Sequence, residues 1–268
     1  MDSVNASFRA NTDIGQNFLI DGTVLDRIIA ASDLQPDEIL FEIGAGNGVL
    51  TKRLLSTGPS TLFSVEMDRR LVPFLSPLEE NPRLVLLWGD VLKMPLAEKL
   101  VPCPEKLVAN LPYHITTPLL WKVLEELCPL GLRRMTVMVQ KEAADRLTCT
   151  KPGKNRSPLG ITLQRMGKVE SLFNVPPAAF RPSPKVNSTV VSILLERSFD
   201  LACDFLWRRL LRQAFDQRRK TLLNNLRDWL TSRGKNTEAL IEELGFDKRV
   251  RAEELSTDDW EKLRMRIE

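Results

Sequence analysis

Histidine and tyrosine each occur once in this chain of 268 residues, and its four cysteines include no CxxC pair. A zinc site needs about four nitrogen or sulfur ligands at close spacing, so the sequence predicts no metal site. No apolar run approaches the ~20 residues of a membrane span, and residues 1–20 contain no apolar segment of the signal-peptide type. We therefore expect a cytoplasmic protein with reduced thiols and no membrane partner.

An excess of charge of one sign is also missing, because 38 basic residues stand against 35 acidic ones, a net charge of +3. A polyanionic partner would therefore have to be bound by local basic patches. Apolar residues make up 43% of the chain and charged residues 27%, which excludes collagen-like and largely disordered proteins. The length suits one large domain with a small one, or two modest domains.

Short apolar segments alternate with segments of helical periodicity along most of the chain. This alternation indicates an α/β fold, a parallel sheet with helices on both faces. The predicted strands are 38–43, 61–65, 84–88, 106–109, 135–139 and 186–195. Beyond residue 198 only helices are predicted, at 205–215, 220–230, 238–244 and 258–266. We expect two domains, residues 1–198 and a helical domain of residues 199–268.

Ligands of doubly wound sheets bind beyond the carboxyl ends of the strands, so the residues that close each strand are informative. Gly44, Gly46 and Gly48 follow the first strand and allow a tight turn close to a ligand. Glu66 closes the next strand 22 positions after Gly44, where an acidic residue commonly binds a ribose diol. Alone, these features are also typical of a structural turn and of a solvated strand end. Together they predict a nucleoside-containing cofactor.

The spacing of the glycines separates two classes of cofactor. A dinucleotide-binding loop would have its third glycine at position 49, which is Val49, whereas here it comes one residue earlier, at Gly48. The G-x-G-x-G form is more usual in S-adenosylmethionine enzymes, which have no pyrophosphate to bind. Asp90, which closes the third strand, can accept a hydrogen bond from an adenine amino group or cap a turn. The sequence therefore favours S-adenosylmethionine over NAD.

The fourth strand is closed by Asn110, Leu111, Pro112 and Tyr113. An aromatic amine is a poor nucleophile, and a site can help by accepting hydrogen bonds from both amine hydrogens. The side-chain oxygen of Asn110 and the backbone carbonyl of Leu111 can be those acceptors. Pro112 restricts the backbone, and Tyr113 can stack on a flat base. This segment therefore predicts transfer of a methyl group to a base amine.

Seven segments resemble those of the bacterial small-subunit ribosomal RNA adenine dimethyltransferases, the KsgA/RsmA family, which are relatives of the Erm enzymes. They occur in family order between residues 15 and 186, with a helical tail behind them. The segments are 15–21 (GQNFLID), 42–51 (EIGAGNGVLT), 66–68 (EMD), 89–92 (GDVL), 110–115 (NLPYHI), 140–142 (QKE) and 175–186 (VPPAAFRPSPKV).

The resemblance implies a Rossmann-like class I methyltransferase sheet and a role for each matching residue. Asn17 and Leu19 would line the cofactor pocket. The other cofactor contacts would be Gly44 and Gly46 in the loop, Glu66 on the ribose, Asp90 on the adenine amine and Asn110, which would also touch the target base. Phe180 would stack on that base opposite Tyr113, although a phenylalanine beside prolines is also typical of a core. The implied reaction is S-adenosylmethionine-dependent dimethylation of two adjacent adenines near the 3′ end of 16S rRNA in the 30S subunit, without a metal.

Two basic stretches are candidates for contact with RNA phosphates. The first comprises Arg208, Arg209, Arg212, Arg218, Arg219 and Lys220, and the second comprises Lys151, Lys154, Arg156, Arg165 and Lys168. Either stretch is also typical of a solvated surface. An enzyme that docks on a ribosomal subunit is expected to be a monomer.

Three alternatives remain open at this point. An Erm-like enzyme acting on 23S rRNA would carry the same site motifs. A non-catalytic ribosome-assembly factor would keep the fold, although the intact residues 110–113 argue against lost catalysis. An NAD-dependent oxidoreductase is disfavoured by Val49.

Overall fold

The structure, a computed structural model, describes residues 16–197 and 205–267. The described strands are β1 Phe18–Leu19, β2 Ile39–Ile43, β3 Thr61–Glu66, β4 Leu84–Trp88, β5 Lys106–Asn110, β6 Arg134–Gln140, β7 Gly167–Val175, β8 Phe180–Arg181 and β9 Ser188–Leu195. The described helices are α1 Gly22–Ala31, α2 Val49–Ser56, α3 Val72–Leu75, α4 Leu96–Lys99, α5 Thr116–Glu126, α6 Lys141–Thr148, α7 Pro158–Met166, α8 Phe205–Ala214, α9 Leu222–Thr231, α10 Thr237–Glu243 and α11 Thr257–Ile267.

Seven of the strands form one sheet in the order β4-β3-β2-β5-β6-β9-β7. Its first five strands are parallel, and β9 runs antiparallel to β6. The central strands β2 and β3 are almost entirely buried, as expected for parallel strands with helices around the sheet. The predicted α/β class is confirmed. Because β2 to β5 are parallel, their carboxyl ends meet at one edge, where the glycine loop, Glu66, Asp90 and Asn110 come together.

Asp21 caps the N-terminus of α1. Its side chain accepts a hydrogen bond from the backbone N–H of Val24 at 3.1 Å, and Val24, Leu25 and Ile28 are buried. The helix therefore starts at a carboxylate cap and packs one apolar stripe against the core.

The strand β7 is not among the predicted elements, although Val169, Phe173 and Val175 alternate along one of its faces. Its residues from Lys168 to Asn174 are half-buried or exposed, because β7 lies at the edge of the sheet. An edge strand with little burial has no apolar run to reveal it.

The chain divides into two units, and the second combines residues 145–167 with residues 199–268. The sequence predicts a single domain boundary near residue 198. In the structure, α7 instead belongs to the same unit as α8 to α11. The physical reason is a set of polar contacts within the second unit. The indole N–H of Trp207 donates to Thr162 Oγ1 at 3.0 Å, and Arg156 donates to Gln164 Oε1 at 2.6 Å and Thr257 Oγ1 at 3.2 Å.

Among the described residues, no helix is both long and apolar enough to cross a membrane. The same residues contain no group of three or more histidine, cysteine, aspartate or glutamate side chains placed to hold a metal ion.

Candidate active site

A cavity of about 270 Å³ opens at the carboxyl ends of β2, β3, β4 and β5. It brings together every residue that the sequence analysis assigned to the cofactor. These are Asn17, Leu19, Gly44, Gly46, Glu66, Asp90 and Asn110. Leu111, Pro112 and Tyr113 line the same cavity, as do Met67, Val91 and Leu92, to which the sequence analysis gave no role. The cavity thus joins apolar walls to a few polar groups, as small-molecule sites do.

The glycine loop after β2 needs left-handed backbone at the positions that glycine occupies. Gly46 has a φ of +58°, and a Cβ there would lie 3.3 Å from the ring of Phe18. Gly48 has a φ of +78°, and a Cβ there would lie 2.7 Å from a methyl carbon of Leu78. Both the backbone conformation and the neighbouring side chains therefore exclude larger residues. Gly44 and Gly46 of this loop line the cavity.

The Glu66 carboxylate ties the glycine loop to the end of β3. Its Oε2 accepts a hydrogen bond from the N–H of Gly46 at 2.9 Å, and its Oε1 accepts from the N–H groups of Met67 and Asp68 at 2.8 Å each. A carboxylate has about four acceptor positions, so room for one more donor remains. Glu66 is therefore a structural tether as well as a candidate ribose ligand.

Asp90 also has a structural role. Its Oδ1 accepts a hydrogen bond from the N–H of Leu92 at 3.0 Å, and its Oδ2 lies 3.7 Å from Lys93 Nζ. This is the turn-capping role that the sequence left open, and it holds the carboxylate at the cavity wall.

Asn110 is oriented by the segment before α1. Its Nδ2 donates to the carbonyl oxygen of Asn17 at 3.3 Å, and the N–H of Leu111 donates to the carbonyl oxygen of Met138 at 3.0 Å. In the part of the chain that the structure describes, no donor bonds to Asn110 Oδ1 or to the Leu111 carbonyl. Pro112 follows with extended backbone, φ −57° and ψ 128°. Two acceptors thus remain at the cavity for a ligand that donates.

Comparison with known proteins identifies the family. A family model described as ribosomal RNA adenine dimethylase matches residues 7–268. The chain belongs to this family. The predicted family and the prediction of a methyltransferase are therefore confirmed, and the alternative of an NAD-dependent oxidoreductase is wrong.

Two bacterial relatives of this dimethylase carry the name ribosomal RNA small subunit methyltransferase A. The chain is 40% identical over 252 residues to the protein of Pseudomonas putida, covering 92% of this chain and 91% of the relative. It is 38% identical over 268 residues to the protein of Lactobacillus acidophilus, covering 94% and 89%.

Solved structures give the same fold. A dimethyladenosine transferase from Plasmodium falciparum matches with a TM-score of 0.76 at 27% identity, over 92% of this chain and 95% of that one. A 23S rRNA methyltransferase, ErmE, matches with a TM-score of 0.69 at 24% identity, over 94% and 99%. The second likeness is evidence for the fold alone.

The two aromatic residues predicted to hold the target base lie in different surroundings in this dimethylase. Tyr113 is half-buried and lines the cavity, and its hydroxyl lies 2.8 Å from Ser188 Oγ. Burial raises the pKa of Tyr113, an effect that the hydrogen bond with Ser188 partly opposes. Phe180 is 3% exposed and packs in the core with Leu19 and Val24, so it is not among the residues that line the cavity. Its stacking role stays a prediction.

The segment that carries Asn17 and Leu19 is held over the cavity from both sides. Gln16 Nε2 donates to Asp68 Oδ2 at 2.7 Å. The strand β1 pairs with β8, which places Leu19 opposite Phe180. The hydrogen bonds from Arg70 and from Gln16 lower the pKa of Asp68 to about 2, the Arg70 bond having the larger effect. The motif 15–21 contains Gln16, but its partner 52 residues away could not be read from the sequence.

Glu42 is a buried acid beneath the glycine loop that the sequence analysis did not single out. Its Oε2 accepts hydrogen bonds from the hydroxyls of Thr51 at 2.7 Å and Ser64 at 2.6 Å, whereas its Oε1 has no partner. Burial raises the pKa of Glu42 from 4.5 to about 7, and the nearby charge of Glu66 adds to this rise. Glu42 therefore connects β2, β3 and α2, with its ionised form destabilised.

The first basic stretch lies in the second unit, and its six residues are exposed. Arg218 is already engaged, because one of its terminal nitrogens donates to the carbonyls of Lys154 at 2.9 Å and Arg156 at 2.7 Å. Within the described ranges, Arg212 and Arg219 have no hydrogen-bond or ion-pair partner for their side chains, and the same holds for Lys220.

Two residues of the second basic stretch, Arg156 and Arg165, have structural roles. Arg156 is fully buried and donates to the carbonyl of Cys149 at 2.9 Å, and Arg165 bonds to Glu261. The expectation that Arg156 could contact RNA is therefore wrong, because its guanidinium is enclosed by its own unit.

Proposed function

We propose that this dimethylase methylates the exocyclic amino groups of two adjacent adenines near the 3′ end of 16S rRNA, in the 30S subunit or its precursor. The donor would be S-adenosylmethionine, and the enzyme would act as a cytoplasmic monomer. The names of the bacterial relatives support the small-subunit substrate.

The observation that carries the proposal is the orientation of Asn110. Because Nδ2 is used on the Asn17 carbonyl, Oδ1 is left as an acceptor at the cavity, next to the free carbonyl of Leu111. Two acceptors match the two hydrogens of an adenine amine and would direct the nitrogen lone pair toward a methyl donor. A ligand that donates no hydrogen bond would leave this pair unused.

The residues of the cavity fit an S-adenosylmethionine molecule. Glu66 offers an acceptor for the ribose hydroxyls and Asp90 one for the adenine amine, while Met67 and Val91 supply apolar surface for the adenine ring. The loop at Gly44 and Gly46 lets backbone groups approach the methionine portion, and Asn17 and Leu19 would cover it. S-adenosylmethionine, when bound, supplies an electrophilic methyl group on its sulfonium. Asn110 would then contact both cofactor and target base.

Phosphate contacts would position the folded RNA. Of the six predicted RNA-binding residues, Arg212, Arg219 and Lys220 have side chains that no described residue engages. Arg208 and Arg209 lie exposed on the same helix as Arg212 and would extend this surface. We propose that this basic surface of the second unit contacts RNA phosphates.

Transfer of labelled methyl groups tests the substrate. We expect incorporation into 30S subunits that lack adenine dimethylation, and none into fully methylated 30S subunits or naked 23S rRNA. Label in 23S rRNA instead would establish the Erm-like alternative. No transfer to any substrate, with the cofactor still bound, would favour an assembly factor.

The variant Asn110→Ala tests the site. Removal of one preorganised hydrogen-bonding group should lower turnover by about 100-fold to 1,000-fold, with the folded state retained. Asn81→Ala is the matched control, because it also removes an amide that bonds to the backbone, here by accepting from the N–H of Arg83, but this amide lies outside the cavity. Unchanged turnover in Asn110→Ala would remove Asn110 from the catalytic role.

A further inference from the structure

The hydroxyl of Tyr113 is held by a residue that lies 75 positions away. Tyr113 begins the short helical turn that follows Pro112, and its ring lines the cavity. Its Oη lies 2.8 Å from Ser188 Oγ, and either oxygen can be the donor. Among the described residues, Ser188 is the side chain that bonds to the phenol. The far end of the ring is therefore fixed at one point.

Ser188 is itself rigidly placed. It is fully buried at the first position of β9, opposite Gln140 in the antiparallel pair with β6. The backbone beside it is anchored as well, because the N–H of Lys141 donates to the carbonyl of Asn187 at 2.9 Å. Since β6 also pairs with β5, where Asn110 lies opposite Met138, one continuous ladder fixes Ser188 relative to Asn110.

A tyrosine ring that is tethered at its hydroxyl cannot rotate freely about its side-chain torsions. Two of the groups proposed to face the target adenine, Asn110 and the ring of Tyr113, are then held in one frame. Burial raises the pKa of Tyr113, which keeps the phenol protonated and able to share its hydrogen with Ser188. A phenylalanine would supply the same ring without this constraint.

We propose that Ser188 is a positioning residue that orients the Tyr113 ring for stacking on the target adenine. This inference rests on the proposed function. Ser188 acts through Tyr113, and no contact between Ser188 and the substrate is required. Because stacking geometry sets the approach of the amine, the tether should act on the methyl-transfer step more than on RNA affinity, which depends mainly on phosphate contacts.

A double-mutant cycle tests this proposal, with single-turnover methylation of 30S subunits as the assay. Ser188→Ala and Tyr113→Phe should each lower the rate of transfer about fivefold, as expected for one lost hydrogen bond. The double variant should be no slower than either single variant, because both remove the same contact. Ser188→Thr keeps the hydroxyl and should restore most of the rate. KM for 30S subunits and the affinity for S-adenosylmethionine should change less than about twofold.

Thr189→Val is the matched control. Thr189 is the next residue of β9 and is also buried, but its hydroxyl bonds to Asn174 on the other face of the strand at 2.8 Å. Its loss should leave the transfer rate unchanged. A rate drop in Thr189→Val equal to that in Ser188→Ala, or additive effects in the cycle, would overturn the positioning role.

A second readout is independent of RNA, because Tyr113 is the only tyrosine of the chain. Protein labelled with ¹³Cζ-tyrosine gives one resonance that reports on the phenol. Ser188→Ala should shift this resonance and Thr189→Val should not, and an unshifted resonance in Ser188→Ala would show that the tether is absent. If the resonance shifts but the wild-type enzyme transfers no methyl group to 30S subunits, the proposed function fails and the positioning role fails with it. If the wild type methylates and the cycle is additive, only the role of Ser188 fails.

Discussion

Replacing Glu42 by glutamine should remove a pH dependence from the free energy of unfolding of the unit that contains the seven-stranded sheet, called the sheet unit below. The pKa of Glu42 is raised from 4.5 to about 7 because the carboxyl is buried and one of its oxygens has no partner. The folded protein therefore holds this proton more tightly than the unfolded chain does. The contribution of Glu42 to the free energy of unfolding is fully present below about pH 4.5 and is lost as the pH rises through about 7. Above that pH, the contribution no longer changes.

The size of the effect follows from the pKa difference. A rise from 4.5 to about 7 corresponds to about 3 kcal/mol of destabilisation once Glu42 is ionised. Most of this, about 2–3 kcal/mol, develops between pH 5 and pH 8. Glutamine has a similar shape, and its oxygen can accept the hydrogen bonds from Thr51 and Ser64. The variant should thus gain stability relative to the wild type as the pH rises.

Urea unfolding, monitored by circular dichroism at pH 5, 6, 7 and 8, measures the difference in free energy of unfolding between Glu42→Gln and the wild type. Hydrogen exchange in peptides from β2 and β3 assigns the transition to the sheet unit. All other titrating groups are common to both proteins and cancel in the comparison. Glu80→Gln, at an exposed position, is the control and should show a difference that does not vary with pH. A flat difference for Glu42→Gln over this range would refute the argument from burial.

Four further substitutions have defined outcomes. Glu66→Ala should weaken S-adenosylmethionine binding about 10-fold to 100-fold by calorimetry, because a charged acceptor is lost; an unaltered affinity would contradict the ribose assignment. Gly48→Ala should lower the free energy of unfolding by about 1–3 kcal/mol, since its φ is +78° and its Cβ would meet Leu78 at 2.7 Å; equal melting temperatures would show that the loop adapts. Arg219→Gln should reduce the salt dependence of 30S binding by about one phosphate contact. Arg218→Gln should instead destabilise the second unit, because it loses two backbone carbonyl partners. A destabilised Arg219→Gln, with a weaker salt dependence in Arg218→Gln, would show that Arg218 contacts RNA and Arg219 is structural.

Much of the lining of the candidate site could be predicted from the sequence, for a physical reason. In a parallel sheet the strand ends meet at one edge, so residues that close successive strands become neighbours whatever their separation in the chain. Gly44 and Gly46 after β2, with Glu66, Asp90 and Asn110, are such residues, and all of them line one cavity. The left-handed conformations in the loop are likewise predictable, because glycine is the residue that adopts them most readily.

The secondary roles of these residues could not be read in the same way. Glu66 accepts three backbone hydrogen bonds, and one of them, from Gly46, depends on how the glycine loop folds over β3. Phe180 is aromatic, as base-stacking residues are, yet its side chain is enclosed in the core because β8 pairs with β1. Periodicity and motif spacing carry no information about such packing.

The sequence by itself determined the α/β class, the helical tail and the position of the candidate site, because these depend on local periodicity and on the common edge of parallel strands. Only the tertiary structure decided that residues 145–167 join the helical unit, that Gln16 bonds to Asp68 and that Ser188 holds Tyr113. These contacts join residues far apart in the chain. Their formation depends on strand register and side-chain packing, which arise only when the whole chain has folded.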